Sequence, residues 1–367
     1  MVTAIIVNFY SAHYVARAVN SLLSSEDRRK PDIWVVDNSE DATEADLLKK
    51  ILGGTCKVVV NSKNVGFGAA CNQVFKQTES EWILLLNPDA YLEKGALEAL
   101  CSFMDKYPEV GAAGPLIYWD EGRKFLLPPS PSPSPWHYLL TSPDDRVRTN
   151  LAWLNSLWWR HQSLSVWRAA GPKRQRNLSG GHVLLRRTAV NKAGGLFDTC
   201  FFLYYEDTDL FLRIRRVGFD LFVVPEAVAV HQFSGCARHK EEWKREEMAR
   251  SGILFMEKHY GSHLAYRLAK RRKQGSGRIR NVPVITDLGR PQSPPVFSVP
   301  KKWNSGWLLE WSPNPFMFPA AGYLGKGDKA VFPREAWAIL PVGKQFVRLG
   351  SSRKFLLPRK IWQWEKR

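Results

Sequence analysis

Residues 82–89, WILLLNPD, decide the fold of the first part of this chain. Five apolar residues in a row between polar neighbours are typical of a buried strand. Asn87 and Asp89 follow at once, with a proline between them that favours a tight turn. The stretch therefore predicts a buried strand that ends in a polar turn.

The same alternation of strand and helix patterns extends in both directions from this stretch. Strand-like runs and helical periodicities that alternate predict βαβ units and a largely parallel sheet, so the predicted fold class is α/β. We predict strands at 3–8, 32–37, 57–61, 82–87, 111–116, 179–186 and 220–231, and helices at 12–23, 45–52, 66–77, 96–107, 207–217 and 238–260.

Polar residues stand where the predicted parallel strands end. They are Asn8, Asp37, Asn61, Asn87 and Asp89. Ligands of such sheets bind at the carboxyl ends of the strands, so we expect these side chains to converge on one edge.

The bulk composition is typical of a globular intracellular protein. The chain has 367 residues, 44% of them hydrophobic, and no run near the roughly 20 apolar residues that span a bilayer. The start of the chain has no signal-peptide pattern. Its five cysteines form neither a paired framework nor a CxxC motif, which predicts a reducing compartment and a cytoplasmic location.

Positive charge is concentrated in the last third of the chain. Residues 262–367 hold 21 lysines and arginines but only 5 acidic residues, against a net charge of +18 for the whole chain. Such a segment suits an anionic partner: nucleic acid, anionic lipid or a polyanionic glycan. An oligomer contact is a further alternative.

Two regions break the alternation and set the predicted domain bounds. Residues 127–135 read LPPSPSPSP, and five tryptophans follow between 136 and 167. Residues 271–280 are basic and contain glycine, and proline, tryptophan and short apolar runs dominate after residue 295. We predict a first domain at 1–261 with a variable Trp- and Pro-rich insertion at 119–176, a basic linker at 262–294, and a small β-rich basic module at 295–367.

One interpretation of the turn at residue 89 is that it binds a divalent cation. Mg²⁺ and Mn²⁺ prefer oxygen ligands and are often held by one or two carboxylates together with phosphate oxygens. Asp89 at a strand end suits that role, and His231, which ends a later strand, could complete the ligand set. In the alternative, Asn87-Pro88-Asp89 is only a turn and His231 an ordinary buried histidine.

The acids that follow an aromatic run at 201–205 are candidates for a general base. Glu206, Asp207 and Asp209 open a predicted helix. Burial behind apolar residues raises the pKa of a carboxyl group toward values useful for a base. The alternative is that these acids only cap the helix and complement its dipole.

The residues at the ends of the first three predicted strands suit a nucleotide ligand. Asp37 can accept hydrogen bonds from a pyrimidine or ribose, and Asn38 extends the same turn. Asn64, Gly66 and Gly68 lie at the start of a predicted helix, whose free N–H groups favour phosphate. The sequence GFGAAC is not GxGxxG and no GxxxxGK[ST] is present, which disfavours a nicotinamide dehydrogenase and excludes a P-loop enzyme.

Taken in order, these pieces resemble the inverting GT-A glycosyltransferases of family 2, and within them the rhamnosyltransferase-like branch. The resemblance covers residues 2–261. The matching pieces are IIVNFYS at 5–11, VVDNS at 35–39, NVGFGAACN at 64–72, LLLNPDA at 84–90, LSGGHVLLRR at 178–187, the run from 194 to 219, and 225–231.

The resemblance implies a GT-A fold and a role for each matched residue. Asp37 resembles the aspartate that binds the nucleotide base. Asp89 resembles the last acid of the metal-binding motif, whose first acid is replaced by Asn87. Asp207 resembles the catalytic base, with Glu206 beside it.

Three further positions complete the implied site. Gly180 and Gly181 resemble the loop between donor and acceptor, and His231 resembles a late histidine that joins the metal or diphosphate. The implied reaction is a single displacement with inversion, without a covalent intermediate. His182 stands where this family usually has a small residue, which leaves the donor sugar open.

We therefore predict a metal-dependent enzyme with Mg²⁺ or Mn²⁺ that uses a dTDP-rhamnose-like or UDP-sugar donor. The predicted acceptor is a glycan or polyprenyl-linked glycan of cell-surface polysaccharide synthesis. The basic C-terminal part could hold the enzyme against an anionic membrane, where each Lys or Arg is worth about 1 kcal/mol. The alternative function is a non-catalytic protein that binds glycans or anionic surfaces. No nucleic-acid-binding module is recognisable, so nucleic acid is not an expected partner.

Overall fold

The computed structural model describes residues 1–24, 28–135, 148–232, 241–273, 285–353 and 360–367. Contacts divide the chain into two compact units. Unit 1 comprises residues 1–116, 130–134 and 169–266, and unit 2 comprises residues 117–129, 135–168 and 267–367.

The strands of the described residues fall into three sheets. In chain order they are Val2–Asn8 (β1), Asp32–Asp37 (β2), Lys57–Val60 (β3), Trp82–Leu86 (β4), Ala90–Leu92 (β5), Val110–Tyr118 (β6), Lys173–Gln175 (β7), His182–Arg186 (β8), Asp220–His231 (β9), Ile285–Asp287 (β10), Val296–Ser298 (β11), Trp307–Ser312 (β12), Ala321–Gly325 (β13), Lys329–Val331 (β14), Gly343–Ser351 (β15) and Ile361–Lys366 (β16).

The helices alternate with the early strands as the sequence predicts. In chain order they are Ala12–Leu23 (α1), Ala42–Leu52 (α2), Phe67–Gln77 (α3), Ala96–Lys106 (α4), Arg148–Trp167 (α5), Arg187–Lys192 (α6), Glu206–Arg216 (α7), Glu241–Tyr260 (α8), Ser262–Lys273 (α9) and Arg334–Ile339 (α10).

The large sheet of unit 1 has the strand order β3-β2-β1-β4-β8-β6-β9-β5, with β7 paired to β9. β3, β2, β1 and β4 are parallel neighbours. β8 joins β4 in antiparallel register. The predicted α/β class is confirmed. The parallel strands are those that the sequence predicts from βαβ alternation, and the antiparallel strands bring later residues to the same sheet.

Local sequence explains why the early elements form. β4 is buried along its whole length because it lies inside the sheet. Helix α1 buries Ala12, Val15 and Val19 on one side, which is the spacing of a single helix face. Helix α2 begins where the Asp41 side chain accepts the amide of Thr43 at 2.8 Å, and ends at Gly53 in the left-handed region.

Unit 2 is built on a five-stranded sheet of order β10-β16-β15-β12-β13 and a two-stranded pair, β11 with β14. Its core is aromatic. Trp119 stacks on Trp311 with ring centroids 4.2 Å apart, and Phe125, Phe332 and Trp364 pack in the same cluster. The predicted β-rich character of the C-terminal part is confirmed.

Helix α5 lies in the region where the sequence shows only a tryptophan-rich break. Within unit 2 its Arg160 donates to Glu310 of β12 at 3.0 Å, and Arg348 of β15 donates to the same carboxylate at 2.7 Å. All three side chains are buried. A buried charge needs such partners, so this triad ties the helix to the sheet of unit 2.

The units differ from the predicted domain bounds in the segment 119–176. Residues up to 168 group with the C-terminal residues rather than with the first unit, apart from 130–134. The first part of the predicted linker at 262–294 is helical up to Lys273. Residues 136–147 and 274–284, which carry parts of both predictions, lie outside the described residues.

The division sharpens the charge asymmetry of the sequence. Unit 1 contains 26 basic and 26 acidic residues, whereas unit 2 contains 27 basic and 9 acidic ones. The whole net charge of +18 therefore belongs to unit 2.

Candidate active site

Asp37 lies at the end of β2 and is almost completely buried. Its Oδ1 accepts from Asn8 Nδ2 at 2.9 Å and from Ser39 Oγ at 2.6 Å. Its Oδ2 is buried and has no hydrogen-bond partner among the described residues. A buried acceptor without a donor is costly. An N–H or O–H of a bound nucleotide would satisfy it.

The glycines at the start of α3 have a packing role in the structure. Gly66 has a φ of 85°, and a Cβ there would lie 2.5 Å from the carbonyl oxygen of Phe202. A Cβ at Gly68 would lie 3.0 Å from the Cβ of Phe197. Asn38 and Asn64 hold this turn, with Asn38 Nδ2 donating to Gly66 O at 3.2 Å and Asn64 Oδ1 accepting from Gly66 N at 2.9 Å. Nucleotide contacts by these residues stay a prediction.

Asp89 and His231 form a pair at the edge of the sheet. His231 Nε2 lies 3.1 Å from Asp89 Oδ1, and both side chains are buried. The backbone fixes them as well, because Ala90 pairs with His231 across β5 and β9 and the amide of Gln232 donates to Asp89 O at 3.1 Å. Two residues 142 positions apart in the sequence, each predicted as a metal ligand, are therefore neighbours.

These two residues fit a cation that a bound diphosphate also coordinates. A carboxylate and an imidazole are ordinary ligands of Mn²⁺, and both Mg²⁺ and Mn²⁺ commonly take remaining ligands from phosphate and water. The described residues contain no group of three or more His, Cys, Asp or Glu side chains that could hold a metal ion alone. The pair therefore suits a shared site rather than a complete protein cage.

His182 lies beside this pair, which the sequence did not predict. It begins β8, directly opposite Leu86 of β4, and is only 2% exposed. Its ring meets that of His231 edge to face, with centroids 5.3 Å apart. Burial, together with the neighbouring His231, lowers the pKa of His182 to about 3, so its imidazole is neutral.

Asp207 faces the glycine loop. Its Oδ2 accepts from the amide of Gly180 at 2.9 Å, and its Oδ1 accepts from the amide of Thr208 at 2.6 Å. Burial raises the pKa of Asp207, although these hydrogen bonds oppose the rise. A carboxylate held in this way is a suitable general base.

The glycine loop connects this base to the metal-ligand candidates. The amide of Asn87 donates to Gly181 O at 2.7 Å. A Cβ at Gly180 would lie 2.8 Å from the Cβ of Asp207, and one at Gly181 would lie 2.6 Å from Asn87 Nδ2. Only glycine lets the three segments approach so closely. Asp207, the loop and the turn before Asp89 thus form one continuous surface.

Glu206 is directed away from this surface into the protein. It is 6% exposed, and its Oε2 has no hydrogen-bond partner among the described residues. Cys71 of α3 lies nearby: burial raises the pKa of its thiol, and the Glu206 carboxyl group adds to that rise. Burial and the adjacent Asp207 raise the pKa of Glu206 to about 8, so it is protonated at neutral pH.

The backbone before the acid pair is held in an uncommon conformation. Tyr204 and Tyr205 both have a φ of 68°, in the left-handed region that disfavours bulky residues. Helix α8 holds this turn, because Ser251 Oγ donates to Leu203 O at 2.8 Å and the Phe255 ring packs on Tyr205. Strain of this kind persists where surrounding structure enforces it, and it often lies at functional sites.

Asp209 belongs to a different network from its two acidic neighbours. It is fully buried and paired with Arg213, Lys258 and His259. These pairings lower its pKa to about 2 despite burial. Asp209 therefore ties α7 to α8, a structural role that the sequence left open.

The tryptophans of the predicted insertion include both buried and exposed ones. Trp159 and Trp167 are buried in unit 2, and Trp167 Nε1 donates to Leu127 O at 2.8 Å. Trp158 is 52% exposed. Trp136 and the side chain of Trp153 lie outside the described residues.

Comparison with known proteins assigns the chain to a family. The family model named glycosyl transferase family 2 matches residues 3–188. The chain belongs to glycosyl transferase family 2. The match includes Asp37, Asp89 and Gly180, and the α/β architecture of unit 1 is the GT-A fold of these enzymes.

A curated relative and two solved structures are similar to parts of the chain. An N-acetylglucosaminyl-diphospho-decaprenol L-rhamnosyltransferase of Mycobacterium tuberculosis is 27% identical over 226 residues, which are 57% of this chain and 69% of that protein. A mannosyltransferase of Pyrobaculum calidifontis, solved with GDP-Man and Mn²⁺, has 14% identity and a TM-score of 0.48 and covers 76% of each chain. The S. aureus protein TarS, residues 1–349, has 15% identity and a TM-score of 0.44, with 74% of this chain and 70% of that chain covered.

Proposed function

We propose that this glycosyltransferase moves a sugar from a nucleoside diphosphate donor to a hydroxyl of a lipid-linked glycan, with inversion at the anomeric carbon. One observation carries the proposal: contacts run from Asp207 through Gly180, Gly181 and Asn87 to the turn that precedes Asp89, the partner of His231. A base and a cation-binding pair joined in this way are what a single displacement requires.

The donor and acceptor follow from the site and the curated relative. The unpartnered Oδ2 of Asp37 suits an N–H of a nucleobase. The relative is named as an L-rhamnosyltransferase that acts on a diphospho-decaprenol-linked N-acetylglucosamine. We therefore propose dTDP-rhamnose as the first donor to test, with UDP-sugars next, and an N-acetylglucosaminyl-diphospho-polyprenol acceptor in cell-surface polysaccharide synthesis.

In the proposed mechanism, Asp207 removes the proton of the acceptor hydroxyl as the oxygen attacks the anomeric carbon. General-base catalysis of this kind contributes typically about 10²- to 10⁴-fold. The Gly180 amide and Thr208 orient the carboxylate. Asp89 and His231 would hold Mg²⁺ or Mn²⁺, which supplies positive charge to the departing diphosphate. Inversion and metal dependence are both part of the proposal.

A turnover assay tests this function. Purified enzyme is incubated with a GlcNAc-diphospho-polyprenol and either dTDP-rhamnose or UDP-sugars, with Mn²⁺, Mg²⁺ or EDTA, and the anomeric configuration of the product is read by NMR. We expect turnover with one donor, loss of turnover in EDTA, recovery on adding metal, and an inverted anomer. A retained anomer would overturn the mechanism, and full turnover in EDTA would overturn the metal site.

We also propose that unit 2 binds an anionic lipid surface, which would place the enzyme at the cytoplasmic face of the membrane. Among the residues described, no helix combines the length and apolar character needed to cross a bilayer. Unit 2 carries the entire net charge, and α5 exposes Leu154 and Trp158, 58% and 52% accessible, one helical turn apart. Cationic charge with an exposed Trp and Leu is the combination that binds membrane interfaces.

Vesicle sedimentation tests this surface. We expect binding to vesicles that contain phosphatidylglycerol, little binding to pure phosphatidylcholine, and release on raising salt. The double change Leu154→Ser and Trp158→Ser should weaken binding by about tenfold, equivalent to roughly 1.4 kcal/mol. Equal binding to both vesicle types, or binding only to an acidic polysaccharide, would overturn the proposal.

A further inference from the structure

The imidazole of His182 is in contact with the ring of His231. The two rings meet at 74° with centroids 5.3 Å apart. His182 is placed there by the ladder between β4 and β8, which sets it opposite Leu86, three residues before Asp89. Its side chain is buried, so the contact is part of the packed sheet and not a surface encounter.

Backbone contacts hold both members of the Asp89–His231 pair, but they do not set the orientation of the His231 ring. Pairing with Ala90 holds the backbone of His231, and the hydrogen bond from Gln232 N holds the backbone of Asp89. Neither contact fixes the rotation of the imidazole about its side-chain bonds. The approach of Nε2 to 3.1 Å from Asp89 Oδ1 and the edge-to-face contact with the His182 ring both restrict that rotation.

We propose that His182 is a positioning residue that holds the His231 imidazole in the orientation needed to ligate the cation beside Asp89. This inference rests on the metal site of the proposed function. Groups behind a metal ligand orient it, and their loss typically lowers metal affinity about 10- to 100-fold. His182 acts through ring packing: an edge-to-face contact fills the space beside His231 and penalises other rotamers.

Two variants separate packing from other roles of this side chain. His182→Phe keeps an aromatic ring of similar size, whereas His182→Ala leaves a space into which His231 can turn. We expect the Kd for Mn²⁺, measured by EPR in the presence of dTDP and separately of UDP, to rise about tenfold or more in His182→Ala. It should stay within about threefold of wild type in His182→Phe. Raising Mn²⁺ should restore most of the kcat of His182→Ala.

Phe222 provides a matched control for damage to the strand that carries His231. It lies on β9 and packs on Phe103, with ring centroids 5.3 Å apart. Phe222→Ala should lower the melting temperature as His182→Ala does, but it should leave the Kd for Mn²⁺ unchanged. This control distinguishes loss of packing near the pair from general loss of stability.

Three outcomes would overturn the inference. A wild-type Kd for Mn²⁺ in His182→Ala would show that His182 does not position the ligand. Equal loss of affinity in His182→Phe and His182→Ala would show that the imidazole nitrogens act directly, and not the ring contact. If wild-type protein binds no Mn²⁺ with either nucleotide, the proposed metal site is wrong. This result differs from failure of the positioning role, in which wild-type protein binds Mn²⁺ and His182→Ala binds it equally well.

Discussion

At the scale of single residues, two adjacent acids have opposite surroundings. Asp207 is partly exposed and accepts hydrogen bonds from Gly180 and Thr208, whereas Glu206 is buried with an unpaired oxygen. Consecutive positions on a helix point about 100° apart, so one acid can meet the site while the other meets the core. Glu206 is therefore protonated at neutral pH, and Asp207 is the acid that we propose as the base.

Asp207→Asn should abolish transfer while nucleotide binding stays near wild type. The amide cannot accept the acceptor's proton, and general-base loss typically costs at least about 100-fold in rate. Steady-state turnover and calorimetric binding of dTDP or UDP measure the two effects. Asp46→Asn, an exposed position on α2, is the control and should leave both unchanged. Full turnover in Asp207→Asn would remove this residue as the base.

Glu206→Gln should stabilise the protein increasingly as pH rises. The pKa of Glu206 is raised from 4.5 to about 8, so the folded state retains a proton that the unfolded state releases. Wild-type stability attributable to this group therefore falls between about pH 4.5 and 8. The variant lacks this proton linkage, so its advantage in free energy of unfolding should be small at pH 5 and roughly 1–3 kcal/mol at pH 8.

Urea unfolding of both proteins at pH 5, 6, 7 and 8 measures this difference. A constant difference across that range would show that Glu206 ionises in the folded protein at its ordinary pKa.

At the scale of elements, the site depends on how closely three segments approach. The start of α7, the loop before β8 and the turn after β4 meet at Gly180 and Gly181, where any side chain would overlap Asp207 or Asn87. Helix α8 holds α7 in place through Asp209 and through the turn at Tyr205. The position of the base is therefore a property of helix packing.

Gly180→Ala should lower kcat by a larger factor than it lowers the equilibrium constant for folding. The new Cβ would lie 2.8 Å from the Cβ of Asp207, so the base must shift. A displacement near 1 Å at a reacting group can cost on the order of 100-fold in rate. Gly171→Ala is the matched control, because a Cβ there meets nothing within 4 Å. It should change turnover little. Equal turnover in the two variants would contradict the close approach.

At the scale of the whole molecule, the chain passes between the two units several times. Residues 117–129 and 135–168 leave unit 1 and group with the C-terminal residues. Within unit 2, helix α5 is joined to the sheet by the triad of Arg160, Glu310 and Arg348. The insertion and the C-terminal module thus form one unit, which carries the positive charge.

Glu310→Gln should destabilise unit 2 by about 3–5 kcal/mol, because removing one member of a buried ionic cluster leaves uncompensated charge. The Arg160 and Arg348 side chains are at most 1% exposed, so water cannot replace the lost carboxylate. Urea unfolding followed by tryptophan fluorescence measures the change. Glu365→Gln removes an exposed pair with Arg290 and should cost less than about 1 kcal/mol. Similar losses in the two variants would contradict a structural role for the triad.

The sequence by itself determined the elements of unit 1 and the residue types of its site. The strands at 32–37 and 220–231 and the helix at 12–23 agree with the structure at both ends, because each contains its own periodicity and turn residues. Asp37, Asp89 and Asp207 were identifiable because acids at strand ends and helix starts are local features. Helix α5 was not, because its apolar and polar residues are not separated onto two faces, and the charged Arg160 is among its buried residues.

Only the tertiary structure decided which of these residues meet. The pairing of Asp89 with His231, the contact of His182 with His231, and the inward direction of Glu206 all join segments distant in sequence or depend on helix rotation. The grouping of α5 with the C-terminal strands depends on a buried charge cluster assembled from three elements. Periodicity and local propensity report on the surroundings of a few neighbouring residues. Packing between remote segments is set by the whole core, and that is why it became visible only in three dimensions.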